Sequence, residues 1–306
     1  MSDQPAEGDA LRAEGDRHPA EGDALCAEGD RNIAEGDALP AEGDPNIADG
    51  DAPPFVALDG VWREFGGSRR TPPTAALAGV DLAVRAGRSL GIVGESGAGK
   101  STLLRLLLGL DSPTRGTVSY RGAPLDRRDR ALMRRYRREV QVVLQDPRTS
   151  LDPRMTVARI VAEPLRSLKI GGDVSARVDE VLGWVGLDPD ARTKYPAQFS
   201  GGQRQRIAIA RALAPSPSVL VGDEPVSALD VSVREQVMDL LRRLQSELGL
   251  TLVLVSHDMA IVGQLCEETV VLRGGEVVES GPTREVLTRP TAVYTRELLA
   301  AVPTLP

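Results

Sequence analysis

The stretch Ser89-Leu-Gly-Ile-Val-Gly94-Glu-Ser-Gly-Ala-Gly-Lys-Ser-Thr102 decides the fold of this 306-residue chain. Its first five residues are mostly apolar and partly β-branched, which predicts a short buried strand. A Leu-rich segment over residues 103–110 follows and predicts a helix. Between them lies the pattern G-x-x-x-x-G-K-[ST], which binds phosphate groups in this strand–loop–helix setting. We therefore expect an α/β fold with a nucleotide site at the tip of this strand.

Each kind of residue in this loop has a separate chemical task. The glycines allow backbone torsions that expose amide N–H groups to an anion, and the N-terminus of the following helix adds its dipole. Lys100 can reach the β- and γ-phosphates, and Ser101 can offer its hydroxyl to Mg²⁺. The predicted nucleotide-binding residues of the loop are Gly94, Glu95, Ser96, Gly97, Ala98, Gly99, Lys100, Ser101 and Thr102.

A second strand-like run, residues 219–222, ends in two acidic residues, Asp223 and Glu224. An acid at the C-terminal tip of a parallel strand beside a phosphate loop can hold Mg²⁺, usually through water. The adjacent Glu224 can instead point at the water that attacks the γ-phosphate. We expect Asp223 to be a metal residue and Glu224 to be the catalytic base.

Two further polar residues follow predicted strands in the same way. His257 comes after residues 251–256, and Gln145 comes after residues 140–144. Taken singly, each would be an ordinary exposed strand end. Beside a γ-phosphate, His257 could orient the catalytic water, and the Gln145 amide could coordinate Mg²⁺ and contact that water. Together the four strand ends predict one catalytic edge, with Glu224, His257 and Gln145 as catalytic residues and Ser101, Gln145 and Asp223 as metal residues.

The first 54 residues differ from the rest of the chain. AlaGluGlyAsp recurs every seven residues from Ala6 to Ala41, and AlaAspGlyAsp follows from Ala48. Each unit carries Gly and two acids, so no coiled-coil seam can form, and we predict a disordered acidic tail. It lacks the basic start and apolar stretch of a secretion signal.

The charge and the cysteine content of the chain indicate what the rest of the protein can bind and which compartment suits it. Residues 1–54 hold 15 acids and 3 Arg, a net charge of −12, so the total of −7 leaves the rest of the chain at +5. A mildly basic body suits a polyphosphate or an anionic membrane surface. Cys26 and Cys266 cannot form a disulfide scaffold, which favours a reducing cytosol. No apolar run reaches the length of a membrane span.

Two helical segments outside the site also have clear patterns. Val233–Leu248 places Val233, Val237, Leu240, Leu241, Leu244 and Leu248 on one face, and Gly249 is a natural end. Seven arginines lie within Arg127–Arg138, either as a solvated helix face or as a contact with lipid or a membrane protein. No aromatic residues alternate with them as in nucleic-acid binders, so we expect no nucleic-acid partner.

The order of motifs resembles that of the ATPases of ATP-binding cassette (ABC) transporters over about residues 55–303. The motifs are the phosphate loop, Gln145, Ser200-Gly-Gly-Gln203, Asp223-Glu224, Ser227-Ala-Leu-Asp230 and His257. The resemblance implies a P-loop NTPase with a RecA-like core, a flanking antiparallel β-subdomain and an inserted α-helical subdomain. It also implies ATP and Mg²⁺ as cofactors.

In this family two cassettes enclose two ATP molecules head to tail. The resemblance implies that Ser200, Gly201, Gly202 and Gln203 bind the γ-phosphate of ATP held by the partner subunit. The local sequence is compatible with this phosphate-binding role, since Ser200 can cap a helix whose first N–H groups face an anion. Asp230 would belong to the loop that communicates between the two sites, and Phe65 matches the aromatic residue that stacks on adenine.

A finer resemblance is to the oligopeptide/dipeptide branch of importers. It rests on Gln145–Val157, Tyr195–Gly202, Asp223–Val231 and Tyr294–Pro303. It implies a second ATPase subunit, homo- or heterodimeric, transmembrane permease subunits and, indirectly, a substrate-binding protein. The chain would then lie peripherally on the cytoplasmic face of the cell membrane. Peptide, nickel complex and glutathione-like cargo all remain open.

The expected organisation is an acidic tail over 1–54, an ABC ATPase domain over 55–281 with a helical lobe at about 111–214, and a short C-terminal extension over 282–306. The alternative function is a soluble ABC component of a non-transport complex, of the carbon–phosphorus lyase type. A small-molecule P-loop kinase does not fit, because Ser200-Gly-Gly-Gln203 is foreign to such enzymes and no acceptor site is visible.

Overall fold

The computed structural model describes residues 53–67 and 72–301, so all but the last two residues of the predicted tail over 1–54 lie outside the described part of the chain. The strands are β1 Val56–Phe65, β2 Thr74–Val84, β3 Leu90–Val93, β4 Arg115–Tyr120, β5 Ala123–Pro124, β6 Val140–Val143, β7 Val219–Asp223, β8 Thr251–Ser256, β9 Glu268–Arg273 and β10 Glu276–Pro282. The helices are α1 Lys100–Leu107, α2 Arg130–Glu139, α3 Pro147–Ser150, α4 Val157–Ser167, α5 Val174–Trp184, α6 Gly201–Leu213, α7 Val231–Leu248, α8 Met259–Leu265, α9 Thr283–Thr288 and α10 Val293–Ala300.

The main sheet has six strands in the order β10-β9-β3-β8-β7-β6. All neighbours are parallel except β10, which pairs antiparallel with β9. Every residue of β3 and β8 is buried, as expected for parallel strands covered on both faces. The four strands predicted around the site, residues 89–93, 140–144, 219–222 and 251–256, are confirmed to within one residue. Because β3, β8, β7 and β6 are consecutive neighbours, their C-terminal ends lie along one edge.

A second sheet of four strands, in the order β2-β1-β4-β5, is antiparallel. It confirms the expected flanking subdomain but also corrects a boundary. The helical lobe was expected to begin at about residue 111, yet β4 pairs with β1 through Val56 and Tyr120, and β6 belongs to the main sheet. The prediction placed the boundary too early because three of the six residues of β4 are exposed and the short strand carries little apolar signal. The all-helical part starts with α3.

Helix α7 confirms the predicted segment and starts two residues earlier. Val237, Leu240, Leu241 and Leu244 are buried, whereas Leu248 at the end of the predicted face is exposed. Gly249 adopts a left-handed conformation with φ of 60°, which a residue without Cβ reaches at little cost. The helix therefore ends where its sequence predicts.

Helices α3 to α6 pack on one another and share one hydrophobic cluster with the core beneath the main sheet. Val161, Val181 and Ile207 are fully buried there. The C-terminal helices α9 and α10 join the same cluster through Val286 and Tyr294. The described part of the predicted C-terminal extension is thus packed against the core beneath the main sheet.

The arginine-rich segment forms most of α2 and the turn before it. Arg127 donates to the carbonyl oxygens of Gly109 and Leu110, both at 2.9 Å, and Arg135 pairs with Glu139 at 3.3 Å. Part of this positive charge therefore anchors local structure. Within the ranges described, no helix combines the length and the hydropathy needed to cross a bilayer.

Candidate nucleotide-binding site

The phosphate loop joins β3 to α1, and two of its glycines, Gly94 and Gly99, lie in places where a side chain would not fit. Gly99 caps the helix with φ of 105°. A Cβ atom there would lie 2.6 Å from the Ala76 carbonyl oxygen, and one at Gly94 would lie 2.3 Å from that of Leu272. Both distances are far below van der Waals contact with rigid backbone. The loop is therefore held between β2 and the end of β9.

Lys100 is the first residue of α1, and its side chain folds back over the loop. The residue is 9% exposed, and its Nζ donates to the carbonyl oxygens of Gly94 at 2.5 Å and Glu95 at 2.9 Å. Burial lowers the pKa of this ammonium group, while the negative charges of Glu224 and Asp223 oppose that shift. The loop thus carries a positive charge that is only partly solvated.

A cleft of about 470 Å³ opens over the phosphate loop. It is lined by Ala76, Ser96, Gly97, Gly99, Lys100, Ser101, Thr102, Gln145, Asp223, Glu224, Val255 and His257. The structure therefore brings the residues from four predicted strand ends into one cavity. The cause is the strand order, which makes the ends of β3, β8, β7 and β6 adjacent.

Glu224 lies at the centre of a hydrogen-bonded group. Its backbone has φ of 46°, unusual for a residue with a side chain, and its N–H donates to the Val255 carbonyl at 2.9 Å. One carboxylate oxygen lies 2.9 Å from Nδ1 of His257, and the other accepts from Nε2 of Gln145 at 3.3 Å. Three strand ends thus hold one carboxylate in a fixed orientation.

Asp223 is half-buried beside Glu224 and Lys100. Burial raises the pKa of the Asp223 carboxyl, and the neighbouring charge of Glu224 raises it further, while Lys100 opposes both effects. Two carboxylates and one ammonium group leave an excess of negative charge at this end of the cleft.

The segment Ser200–Gln203 is not among the residues that line this cleft. Ser200 caps α6 by accepting the Gln203 N–H at 3.3 Å, and the Gln203 side chain accepts the Ser200 N–H at 3.0 Å. A Cβ atom at Gly202 would meet Val233 at 2.3 Å, so the start of α6 packs closely on α7. Asp230 caps α7 by accepting the Val233 N–H at 3.1 Å. Within this chain Ser200, Gly201, Gln203 and Asp230 are exposed and lie apart from the cleft lining, whereas Gly202 is buried.

Phe65 ends β1 and is 45% exposed. The guanidinium of Arg63 lies 4.5 Å from the centre of its ring. Phe65 pairs with Thr74, two residues before the cleft residue Ala76. Phe65 therefore pairs with a residue close to one that lines the cleft, but its own ring is not part of the cleft lining.

Two residues of the site had no role in the sequence-based prediction. Ser227 donates from its hydroxyl to the Glu224 carbonyl at 3.0 Å and accepts from Gln145 Nε2 at 3.3 Å, so it links two catalytic candidates. The sequence signal that could have indicated Ser227 is its place as the first residue of the motif Ser227-Ala-Leu-Asp230. Ala76 lines the cleft from β2, and its small apolar side chain gives no signal in sequence.

The similarity to known proteins agrees with this geometry. The profile described as "ABC transporter" matches residues 77–227. The oligopeptide transport ATP-binding protein OppF of Lactococcus lactis subsp. lactis (strain IL1403) is 41% identical over 240 residues, which cover 78% of this chain and 75% of OppF. OppD of Mycobacterium tuberculosis (strain ATCC 25618 / H37Rv) is 48% identical over 74% of this chain, a match to 37% of OppD.

Solved structures resemble the fold as well. The ATP-binding cassette MJ0796, a dimer in a post-hydrolysis state bound to ADP and Pi, has a TM-score of 0.66 and 34% identity, with 75% of this chain and 99% of MJ0796 covered. The cbiO1 protein of Clostridium perfringens, part of the ABC transporter complex cbiONQ, has a TM-score of 0.69 and 29% identity, with 82% of this chain and 96% of cbiO1 covered.

Proposed function

Since the chain belongs to the ATP-binding proteins of ABC transporters, we propose that it is the ATP-hydrolysing subunit of a peptide importer. One observation carries the proposal. Lys100, Asp223, Glu224 and His257 line one cleft in a chain that is similar along most of its length to an oligopeptide transport protein. In this function the chain binds ATP, hydrolyses it and passes the resulting movement to a separate permease.

ATP binding is assigned to the phosphate loop. The loop amides and the N-terminus of α1 attract the phosphate groups, and Lys100 supplies a positive charge at the base of the cleft. Burial leaves this charge poorly solvated, so phosphate oxygens can replace its present carbonyl acceptors without a large loss of hydration. Ser96, Gly97, Ala98, Ser101 and Thr102 complete the cradle, and Phe65 would contact the adenine.

The donor set of the cleft suits Mg²⁺. The Asp223 carboxylate, the Ser101 hydroxyl and the Gln145 amide oxygen are the hard oxygen ligands that Mg²⁺ prefers, and the excess negative charge favours a cation. Among the described residues, no cluster of three His, Cys, Asp or Glu could hold a metal alone. A metal in the cleft would be held jointly by the protein, phosphates and water. Bound there, Mg²⁺ would neutralise charge that develops on the phosphate oxygens.

Glu224 is the proposed catalytic base. Water attacks the γ-phosphorus, its proton passes to the Glu224 carboxylate, and the bond from the γ-phosphorus to the bridging oxygen breaks to leave ADP and phosphate. His257 and Gln145 hold the two carboxylate oxygens of Glu224, so they orient the base before the water arrives. The positive φ of Glu224 fixes its backbone for the same purpose.

A second ATPase subunit would complete the site. First-turn N–H groups of a helix lack intrahelical acceptors, so those of Gly201 and Gly202 can take an anion. Ser200, Gly201, Gly202 and Gln203 do not line the cleft of their own chain, and the exposed Ser200, Gly201 and Gln203 form a surface that suits the γ-phosphate held by a partner. Asp230, which caps the helix packed against them, would link the two sites.

Short peptides are the proposed cargo class, because proteins similar to this chain are named as oligopeptide transport proteins. Transmembrane permease subunits, a second ATPase subunit and, indirectly, a substrate-binding protein are the proposed partners. The chain would lie on the cytoplasmic face of the cell membrane. The soluble, carbon–phosphorus lyase type of complex is not favoured, since those relatives are transport proteins.

The experiment that tests this assignment is an affinity purification from gently solubilised native membranes, with mass spectrometry of the retained proteins. We expect two permease subunits together with a second ATPase chain or a second copy of this one. Mock purification with the tag alone is the control. Retention of soluble enzymes without any membrane protein would contradict the importer function and leave ATP hydrolysis standing.

A further inference from the structure

Helix α10 brings a buried tyrosine to the phosphate loop. Tyr294 is 5% exposed, and its hydroxyl oxygen accepts the backbone N–H of Glu95 at 3.2 Å. The two residues are 199 positions apart in sequence. Tyr294 is not among the residues that line the cleft, so it reaches the loop from outside.

The contact matters because of the peptide bond that it engages. The Glu95 N–H and the Gly94 carbonyl belong to the same planar peptide unit. Lys100 Nζ donates to that carbonyl at 2.5 Å, while Tyr294 accepts from the N–H. The peptide is therefore held on both sides, by the phosphate-binding lysine and by the C-terminal helix.

Tyr294 is itself held firmly in place. The guanidinium of Arg273, at the end of β9, lies 4.5 Å from the centre of its ring. The Glu279 carboxylate accepts the N–H groups of Thr291 at 2.7 Å and Ala292 at 3.1 Å, and also the Thr291 hydroxyl at 3.0 Å. These bonds fix the start of α10 against β10.

We propose that Tyr294 is a positioning residue of the nucleotide site, which orients the Gly94–Glu95 peptide and, through it, the Lys100 side chain. This inference rests on the proposed function, since it assumes that the loop binds ATP. Its consequence is that the docking of α10 sets nucleotide affinity from outside the cleft. A partner that displaced α10 would weaken nucleotide binding without touching the nucleotide.

The test compares Tyr294→Phe with the wild-type full chain by calorimetric titration with MgADP and MgATP. Phe keeps the ring over Arg273 and removes only the acceptor. Loss of one hydrogen bond of ordinary strength predicts a Kd increase of about 2- to 10-fold. Glu279→Ala, which keeps the tyrosine but loosens the start of α10, is expected to raise Kd in the same direction.

Tyr136→Phe is the matched control, because Tyr136 is also buried and its hydroxyl donates to the backbone of Leu107, away from the phosphate loop. It should lower thermal stability but leave Kd unchanged. In Tyr294→Phe, hydrogen exchange of a peptide covering the phosphate loop should also become faster, and in Tyr136→Phe it should not. Unchanged Kd and unchanged exchange in both Tyr294→Phe and Glu279→Ala would overturn the inference. A wild-type chain that binds no nucleotide would instead overturn the proposed function.

Discussion

Replacing Glu224 by Gln is expected to lower ATP turnover by about 10²- to 10⁴-fold while ATP binding remains, since this is the usual contribution of a general base. Gln has nearly the same shape and can still bond to His257 and Gln145, whose contacts lie at 2.9 and 3.3 Å in the wild-type chain. It cannot accept a proton from water. The measurement is phosphate release from the transporter complex, with ATP affinity determined in parallel.

A control variant and a second measurement accompany this prediction. Glu235→Gln is the control, because Glu235 is an exposed residue of the neighbouring helix α7 and the same chemical change there should leave turnover unchanged. If two subunits enclose ATP, the Glu224→Gln chain should also form a dimer in ATP but not in ADP. Near-normal turnover in Glu224→Gln would show that another group is the base.

Lys100→Met is expected to weaken ATP binding by about 10- to 150-fold, the amount that corresponds to loss of a charge-assisted hydrogen bond. Met preserves the length and the apolar stem of the side chain but removes the ammonium group. That group is the positive charge buried against the carbonyls of Gly94 and Glu95. Equilibrium titration with a fluorescent ATP analogue measures the effect.

The chain provides its own control for this change, since it has only three lysines. Lys194 is exposed and far from the phosphate loop in sequence, and Lys194→Met should bind ATP as the wild type does. An affinity for ATP in Lys100→Met within a factor of two of wild type, on the order of the smallest hydrogen-bond effects, would contradict the assignment of Lys100.

Much of the site can be predicted from sequence, because its residues follow buried strands directly. A parallel sheet places the C-terminal ends of its strands on one edge, so the sequence pattern predicts four polar residues near Lys100, namely Asp223, Glu224, His257 and Gln145. The cleft brings them together. The roles of these residues remain proposals.

Other features depend on contacts between distant parts of the chain. The helical lobe starts later than predicted, because β4 pairs with β1 and a six-residue strand with only two buried residues has no strong periodicity. The hydrogen bond between Tyr294 and Glu95 joins two distant segments. The local sequence pattern of neither segment predicts contact with the other. Phe65 was expected at the adenine from a resemblance alone, and the structure leaves it outside the cleft lining.

The most direct test of the account is uptake of labelled short peptides by cells whose own copy of this gene is replaced by the wild type, by the Glu224→Gln form or by nothing. The account predicts accumulation with the wild-type chain only, and uptake at the level of the deletion with Glu224→Gln, although that chain still assembles with the permease. Peptide uptake that continues unchanged when ATP turnover is lost would contradict the claim that this chain powers peptide import.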